Sequence, residues 1–201
     1  MIHALAIATP LGADAFHLQH VSGQEELGRL GQYQLELLSE RGDVKASDLL
    51  GKNVTFVLEM QGGQEQRFYN GYVTRFSILG QVQTTAYRSN IGYLYQITLH
   101  PWLWFLTRTA NCRIFQQKKV PDIIKEVFDL YGFSSYKLQL TGSYRVWDYC
   151  VQYRETDLDF VSRLMEEEGI YYFFKYVGIL RCHRLIPFKI CQFQPILYRR
   201  N

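Results

Sequence analysis

The sequence predicts an α+β protein that is mainly antiparallel β, built from small barrel-like domains with two inserted helices. Three observations predict this class. Short segments of alternating apolar and polar residues recur through the first hundred residues, which is typical of strands with one buried face. Only residues 121–131 and 156–168 combine start signals, stop signals and an apolar stripe at helical spacing. The chain of 201 residues is 47% hydrophobic and 15% aromatic, enough for a buried core.

Five or six strands are predicted in the first hundred residues, and the clearest are Phe16–Val21, Tyr33–Leu37, Asn53–Glu59, Arg67–Phe76 and Tyr93–Leu99. Residues 46–51 predict one helical turn, capped by Ser47 and ended by Gly51. Gln61–Gln64 has the length and composition of a hairpin turn. Gly71 interrupts a strand and predicts a bulge that curls the sheet. Residues 81–90 are polar and weakly patterned, and are predicted to form an exposed loop.

The first predicted helix begins at Pro121, because proline is favoured at the first helical position. It runs to Tyr131 and stops at Gly132. Before it, the segment His100–Leu106 is expected to end the last strand of the barrel, since its proline has no amide to give to the sheet.

The second predicted helix is capped by Thr156, whose hydroxyl can accept from the first free amides. Asp157 and Asp159 place negative charge at the positive end of its dipole. The helix ends at Gly169, which can adopt the left-handed conformation, and the aromatic strand 170–174 follows. The apolar stripe that is predicted to be buried consists of Leu158, Phe160, Val161, Leu164 and Met165.

The stretch from Cys150 to Phe174, which contains this second helix, carries a resemblance to a known family. The other matching segments are Arg67–Phe76, Leu99–Arg108, Cys112–Gln116, Val120–Ile124 and the Val127–Phe128 pair. Together they resemble the VgrG family, the trimeric tip of the type VI secretion spike, whose N-terminal part is built like the tail hub of contractile bacteriophages. The resemblance runs, with gaps, from near Phe16 to about Tyr176.

The resemblance implies a structural protein that is not an enzyme, with no catalytic residue, no cofactor and no bound metal. It implies a first hub-like β-barrel domain over residues 1–110 and an incomplete, helix-containing hub-like portion over residues 111–176. In the family three copies form the hub, which sits on the secreted tube and carries effectors, so the expected partners are two further copies, the tube protein and effector or adaptor proteins. The expected localisation is cytoplasmic before firing and secreted through the type VI apparatus afterwards. A phage tail or baseplate hub is the alternative within the structural class.

Residues 177–201 are predicted to be a divergent, basic and poorly structured tail. From Gly169 onward the chain holds six Lys or Arg residues and none of its 19 acidic residues. The resemblance stops near Tyr176, where family members continue with further strands, an oligonucleotide-binding-fold connector and a long trimeric β-helix. The chain is therefore expected to be a truncated copy whose tail is degenerate or read out of frame.

The second helix carries five acidic residues, Asp157, Asp159, Glu166, Glu167 and Glu168. A pair of carboxylates is the signature of a glycosidase, but consecutive acids on a helix point in different directions. A solvated helix face is the favoured interpretation, with Arg163 pairing with Glu167 at four-residue spacing. A hydrolase is the alternative from another class, because the resemblance is to a family in which some VgrG proteins carry enzymatic extensions beyond the spike.

Metal and nucleic-acid sites are also weighed. Cys182, His183 and Cys191 offer three possible zinc ligands without a regular spacing, and the pair His17 and His20 is expected on opposite faces of a strand. The four cysteines contain no paired motif and are predicted to be reduced and mostly buried. Arginines interleaved with tyrosines could suit a nucleic-acid-binding barrel, but the acidic balance of residues 1–168 argues against it.

Membrane association is not predicted. The sequence has no apolar run that approaches the ~20 residues of a membrane span. The segment Met1–Leu5 lacks the basic start and long apolar core of a signal peptide, so no stable membrane insertion is expected.

Overall fold

A computed structural model describes residues 3–12, 14–60, 65–132, 136–140, 142–176 and 193–199. The chain divides into two compact units. The first unit contains the segments Met1–Glu25 and Gly31–Pro101 together with Tyr176, and the second contains Glu26–Leu30 and Trp102–Lys175. Among the described residues, antiparallel strands predominate and the helices are few, as the predicted α+β class requires.

The first unit is one six-stranded antiparallel sheet with the strand order β1-β4-β5-β6-β3-β2. Its strands are β1 (His3–Ala8), β2 (His17–Gln24), β3 (Gln32–Ser39), β4 (Asn53–Met60), β5 (Glu65–Gln83) and β6 (Ile91–His100). The edge strands β1 and β2 contact each other, so the sheet curls into a half-barrel. The predicted hairpin turn Gln61–Gln64 lies outside the described residues, but β4 and β5 on either side of it pair antiparallel.

Alternation along the central strands builds the core of the first unit. Tyr33, Leu35 and Leu37 on β3 are buried and face the interior, while the residues between them are more exposed. The interior is completed by buried apolar residues from the other strands and from the segment around α1 (Ala46–Leu49), namely Ile7, Phe16, Val44, Leu49, Val54, Phe56, Val73, Tyr95, Ile97 and Leu99.

Strand β5 is longer than predicted. It continues through Gln83, so the predicted loop over residues 81–90 is wrong for its first three residues. The pairing of β5 with β6 shifts between Val73 and Arg75 and again between Ile78 and Gly80, and these are the bulges that help the sheet to curl. Gly71 itself does not form the bulge that was predicted there. A Cβ at this position would lie 3.0 Å from the His100 carbonyl oxygen, so close strand packing explains the glycine.

The second unit contains β7 (Ala110–Lys118), β9 (Trp147–Thr156), α2 (Val120–Asp129), α3 (Asp157–Glu167), β8 (Lys137–Gln139) and β10 (Ile170–Tyr176). Strands β7 and β9 pair with each other in a two-stranded antiparallel ribbon. Strand β11 (Phe193–Arg199) runs parallel to β8 and lies between β8 and β10 in a three-stranded sheet. Apart from β11, the predicted tail lies outside the described residues.

Both predicted helices are present. In α3 the Thr156 hydroxyl accepts from the Asp159 amide at 3.0 Å, and Gly169 follows with a positive φ of 66°. The ring of Phe160 stacks on Phe115 of β7 with centroids 5.5 Å apart, so α3 covers the inner face of the ribbon. The predicted apolar stripe is buried, except that Leu158 is only partly covered.

Three local predictions are corrected. The N-cap of α1 is Lys45 rather than Ser47, because the side chain of Asp48 accepts from the Lys45 amide at 3.0 Å. The segment Trp102–Arg108 forms a 3₁₀ helix, although proline was expected only to end the strand. Strand β1 was not predicted, because its sequence shows little alternation.

Replacement of Val161 by Asp tests the packing of α3. Val161 is fully buried, so the new carboxylate would have no partner and would lower the free energy of unfolding by roughly 3–5 kcal/mol. The measurement is urea unfolding of this variant beside Ser162→Asp, which changes a partly exposed neighbour on the same turn. Equal stability of the two variants would show that Val161 does not face the core.

Candidate interaction site

The polar centre of the second unit is the carboxylate of Asp157, at the junction of β9 and α3. Its side chain is fully buried, with none of its surface exposed. The sequence predicted only a favourable charge for the helix dipole, as it did for Asp159. The structure separates the two residues, because Asp159 lies at the surface while Asp157 points into the protein.

Four side chains donate hydrogen bonds to Asp157. Gln152 Nε2 and Asn111 Nδ2 donate to Oδ1 at 2.7 and 3.0 Å. Tyr131 Oη and Arg113 Nη2 donate to Oδ2 at 2.7 and 3.2 Å. Each carboxylate oxygen therefore accepts two hydrogen bonds, which fills its lone pairs. We call these five residues the Asp157 network.

The network favours the ionised form of the carboxyl group. Burial opposes ionisation, but the hydrogen bonds from Gln152, Asn111 and Tyr131, together with the charge of Arg113, outweigh it and hold the pKa of Asp157 below its usual value. A saturated and ionised carboxylate has no lone pair left for a substrate proton or a metal ion. The network instead holds several elements of the second unit together, because its donors come from β7, from β9 and from Tyr131, just beyond the end of α2.

The Asp157 network holds the ribbon of β7 and β9 so that one of its faces is covered by α3 and the other is exposed. On β7 and β9, Phe115, Cys150 and Gln152 face inward and are buried. The residues that alternate with them form the outer ribbon face, which consists of Cys112, Ile114, Gln116, Tyr149, Val151 and Tyr153. All six are exposed, including Ile114 at 64% and Val151 at 47%.

Two residues of the ribbon have a backbone conformation that glycine would adopt more easily. Gln117 and Arg154 both have a φ of 51°, in the left-handed region. At Arg154 the pairing with β7 shifts by one residue, which is a β-bulge, and the guanidinium lies over the ring of Tyr153 at 5.3 Å from its centroid. The outer ribbon face is thus bounded at one end by a tyrosine that carries a stacked arginine.

The outer ribbon face has the chemistry of a protein contact surface. It carries two aliphatic and two tyrosine side chains in adjacent cross-strand positions and no charged side chain among its six residues. Exposed apolar patches of this kind typically mark places where another protein binds. The sequence did not predict this face, because the apolar residues Tyr149, Val151 and Tyr153 alternate with Cys150 and Gln152, a pattern that favours burial of the face that the structure leaves open.

The acidic residues of α3 were predicted to form a solvated face, with an ion pair between Arg163 and Glu167. The ion pair is wrong, because Arg163 Nη2 donates to Glu155 Oε1 at 2.6 Å, while Glu167 pairs with Arg145 at 3.5 Å. Both contacts link α3 to residues that precede it in the chain, which local helix spacing cannot predict.

Cys182, His183 and Cys191 lie outside the described residues. In the described part of the chain, no group of three or more His, Cys, Asp or Glu side chains has the geometry to hold a metal ion. Cys150 is a buried free thiol as predicted, whereas Cys112 is exposed on the outer ribbon face.

His17 and His20 are both exposed, and the pairing of β2 with β3 shifts between Leu18 and His20. This bulge changes the simple alternation from which opposite faces were predicted. Among the helices that the structure describes, none has the length and apolarity needed to cross a membrane.

Comparison with known proteins assigns this fold. Residues 24–186 match the phage tail baseplate hub (GPD) family. The type VI secretion system spike protein VgrG1b of Pseudomonas aeruginosa is 51% identical over 172 residues, which is 85% of this chain and 22% of that protein. The c3393 protein of E. coli, a type VI secretion component described as similar to the T4 tail proteins gp27 and gp5, superposes with a TM-score of 0.76 at 21% identity. The superposition covers 98% of this chain and 48% of that one.

The fold and the matched residues define a structural protein of the tail-hub class. The chain belongs to the phage tail baseplate hub family, and its curated relatives with the same hub region are type VI secretion spike proteins. The predicted family resemblance is therefore confirmed. The chain spans about a fifth of the length of those relatives (22%).

Replacement of Asp157 by Ala tests the Asp157 network. Four donors would lose their acceptor, and the free energy of unfolding should fall by roughly 3–5 kcal/mol. The matched control is Asp159→Ala, which removes an exposed acid of the same turn and should cost about 1 kcal/mol or less. Chemical denaturation of both variants gives the comparison, and a similar loss in both would contradict the network.

The pH dependence of stability gives a second test. Because the pKa of Asp157 is lower in the folded than in the unfolded protein, its contribution is complete above the unfolded value of about 4 and is lost as the pH falls through the folded value. Unfolding should therefore become easier in acid. The Asp157→Asn variant should show a flatter dependence below about pH 4 than the unmodified chain. Parallel curves would contradict the assigned pKa.

Proposed function

We propose that this chain is a structural hub component of a type VI secretion spike and that it catalyses no reaction. The observation that carries the proposal is 51% identity, over 85% of the chain, to a type VI secretion system spike protein. The Asp157 network agrees with it, because the most buried ionised group of the second unit serves to join strands and helices.

The proposed partners are those of a spike hub. Three copies of the chain form the hub, the hub contacts the tube protein, and it carries effector or adaptor proteins. A structure of a Francisella complex of PdpA with VgrG superposes on the chain with a TM-score of 0.58 at 12% identity. The proposed localisation is cytoplasmic before firing and extracellular after export through the apparatus.

The proposed organisation has a first hub-like β-barrel domain over residues 1–110 and a helix-containing hub-like portion over residues 111–176. Residues 177–201 form a divergent basic tail in this proposal. The half-barrel of β1–β6 and the ribbon with its two helices support the first two parts.

The outer ribbon face supports the assembly part of the proposal. Ile114 and Val151 are directly opposite each other, and the tyrosines Tyr149 and Tyr153 flank them on β9. None of its six residues is charged and the Arg154 guanidinium lies at its Tyr153 end, so a second copy can contact the Ile114 and Val151 centre without burying an unpaired charge. We assign it to the contact with a neighbouring copy of the chain.

Size measurement by light scattering tests this assembly. The unmodified chain should have the mass of a trimer. The double variant Ile114→Lys with Val151→Lys should be a folded monomer, because it places two charges in the contact. The matched control is Leu130→Lys, which changes an equally exposed apolar residue of the second unit, 63% exposed beside 64% for Ile114, and should remain trimeric.

The outcomes separate two claims. A monomeric unmodified chain would overturn the proposed trimer. A double variant that remains trimeric would overturn only the assignment of the outer ribbon face. Circular dichroism of the three proteins confirms in each case that the fold is kept.

A phage tail hub is the second candidate, because the matched family is the tail baseplate hub family. The two candidates differ in the tube that the hub contacts. Co-purification of the tagged chain from its host with a secretion tube protein supports the spike, and co-purification with a virion tail tube supports the phage hub.

A further inference from the structure

Two buried polar atoms beside the Asp157 carboxylate have no hydrogen-bond partner among the described residues. They are Nη1 of Arg113 and Oε1 of Gln152. Gln152 is fully buried. Polar groups at this depth almost always have a partner in folded proteins, because the water that they lose on folding must be replaced.

The neighbouring carboxylate cannot supply that partner. Each oxygen of Asp157 already accepts two hydrogen bonds. Gln152 uses its Nε2 for Asp157 Oδ1 at 2.7 Å and for the Glu155 carbonyl oxygen at 3.2 Å, which fixes the orientation of the amide. Arg113 is held by Nη2 on Oδ2 at 3.2 Å. The remaining atoms, one donor and one acceptor, therefore need a third party.

The two side chains start from adjacent positions. Arg113 on β7 and Gln152 on β9 are partners in the ribbon register and project from the same face. Directly opposed residues of an antiparallel pair have Cβ atoms about 5 Å apart. Both side chains also reach the same carboxylate, Gln152 at Oδ1 and Arg113 at Oδ2.

The chemistry of the two atoms selects the ligand. A cation would be repelled by the Arg113 guanidinium, and an anion would be repelled by Gln152 Oε1 and by Asp157. A small neutral molecule that accepts one hydrogen bond and donates another satisfies both atoms, and water does so at the lowest volume. We propose that one water molecule is held in the second unit, accepting from Arg113 Nη1 and donating to Gln152 Oε1.

This water extends the Asp157 network by one member and adds a side-chain link to the backbone pairing of β7 with β9. Its position depends only on residues of the second unit and is independent of the proposed function. A variant that loses the proposed spike function through a mutation elsewhere would still bind this water.

A high-resolution crystal structure of the full chain tests the proposal. The expected result is one well-ordered electron-density peak within ~3.2 Å of both Arg113 Nη1 and Gln152 Oε1. A direct hydrogen bond between the two side chains, or continuous protein density with no peak between them, would overturn it.

Water–protein cross-relaxation in NMR gives the same test in solution. The Gln152 side-chain amide protons should show the sign of a long-lived bound water, whereas those of Gln117, an exposed glutamine of the same ribbon, should show only fast-exchanging solvent. Identical behaviour of the two glutamines would overturn the proposal.

Discussion

The second unit depends on one buried carboxylate. Asp157 lies at the first position of α3, directly after the Thr156 cap, so the helix begins where the carboxylate is fixed. Its four donors come from β7, β9 and Tyr131, two residues beyond the end of α2, and the Asp157 amide donates to the Thr109 carbonyl oxygen at 3.0 Å. A buried charge is unfavourable unless it is fully paired. This requirement fixes the relative positions of β7, β9, α2 and α3, which are separate segments of the chain.

The fixed ribbon explains how an apolar surface can stay open. Inner residues of β7 and β9 are held against α3 by the stacked rings of Phe115 and Phe160, and by the Asp157 network. The outer ribbon face is then available without loss of the core, because the residues that stabilise the unit all lie on the other side. The proposed contact between copies requires this division between a rigid interior and an exposed contact surface.

Much of the fold could be predicted from the sequence, because its signals are local. The Thr156 cap, the glycine after α3 and the apolar stripes fix both helices, and strand alternation fixes most of the half-barrel. The Asp157 network could not be predicted, since an aspartate in the first turn of a helix is normally a surface residue that favours the dipole. Its burial follows from Asn111, Arg113 and Tyr131, which are distant in sequence and are brought to it only by the tertiary fold.

The exposure of the outer ribbon face could not be predicted from the sequence for a related reason. The apolar residues of β9 alternate with Cys150 and Gln152, which favours burial of the face that the structure leaves open, and only the position of α3 decides which face is covered. The exchange of Glu167 for Glu155 as the partner of Arg163 has the same origin, because β9 lies beside the helix in space.

Hydrogen exchange of backbone amides tests most directly whether the Asp157 carboxylate holds the second unit together. The unmodified chain is compared with Asp157→Asn under native conditions. If the Asp157 network holds the second unit together, amide protection should fall together in β7, β9 and the first turn of α3. The amides of β3 and β6 in the first unit should keep their protection. Unchanged protection of the ribbon and α3 in the variant would contradict the dependence of this unit on the carboxylate.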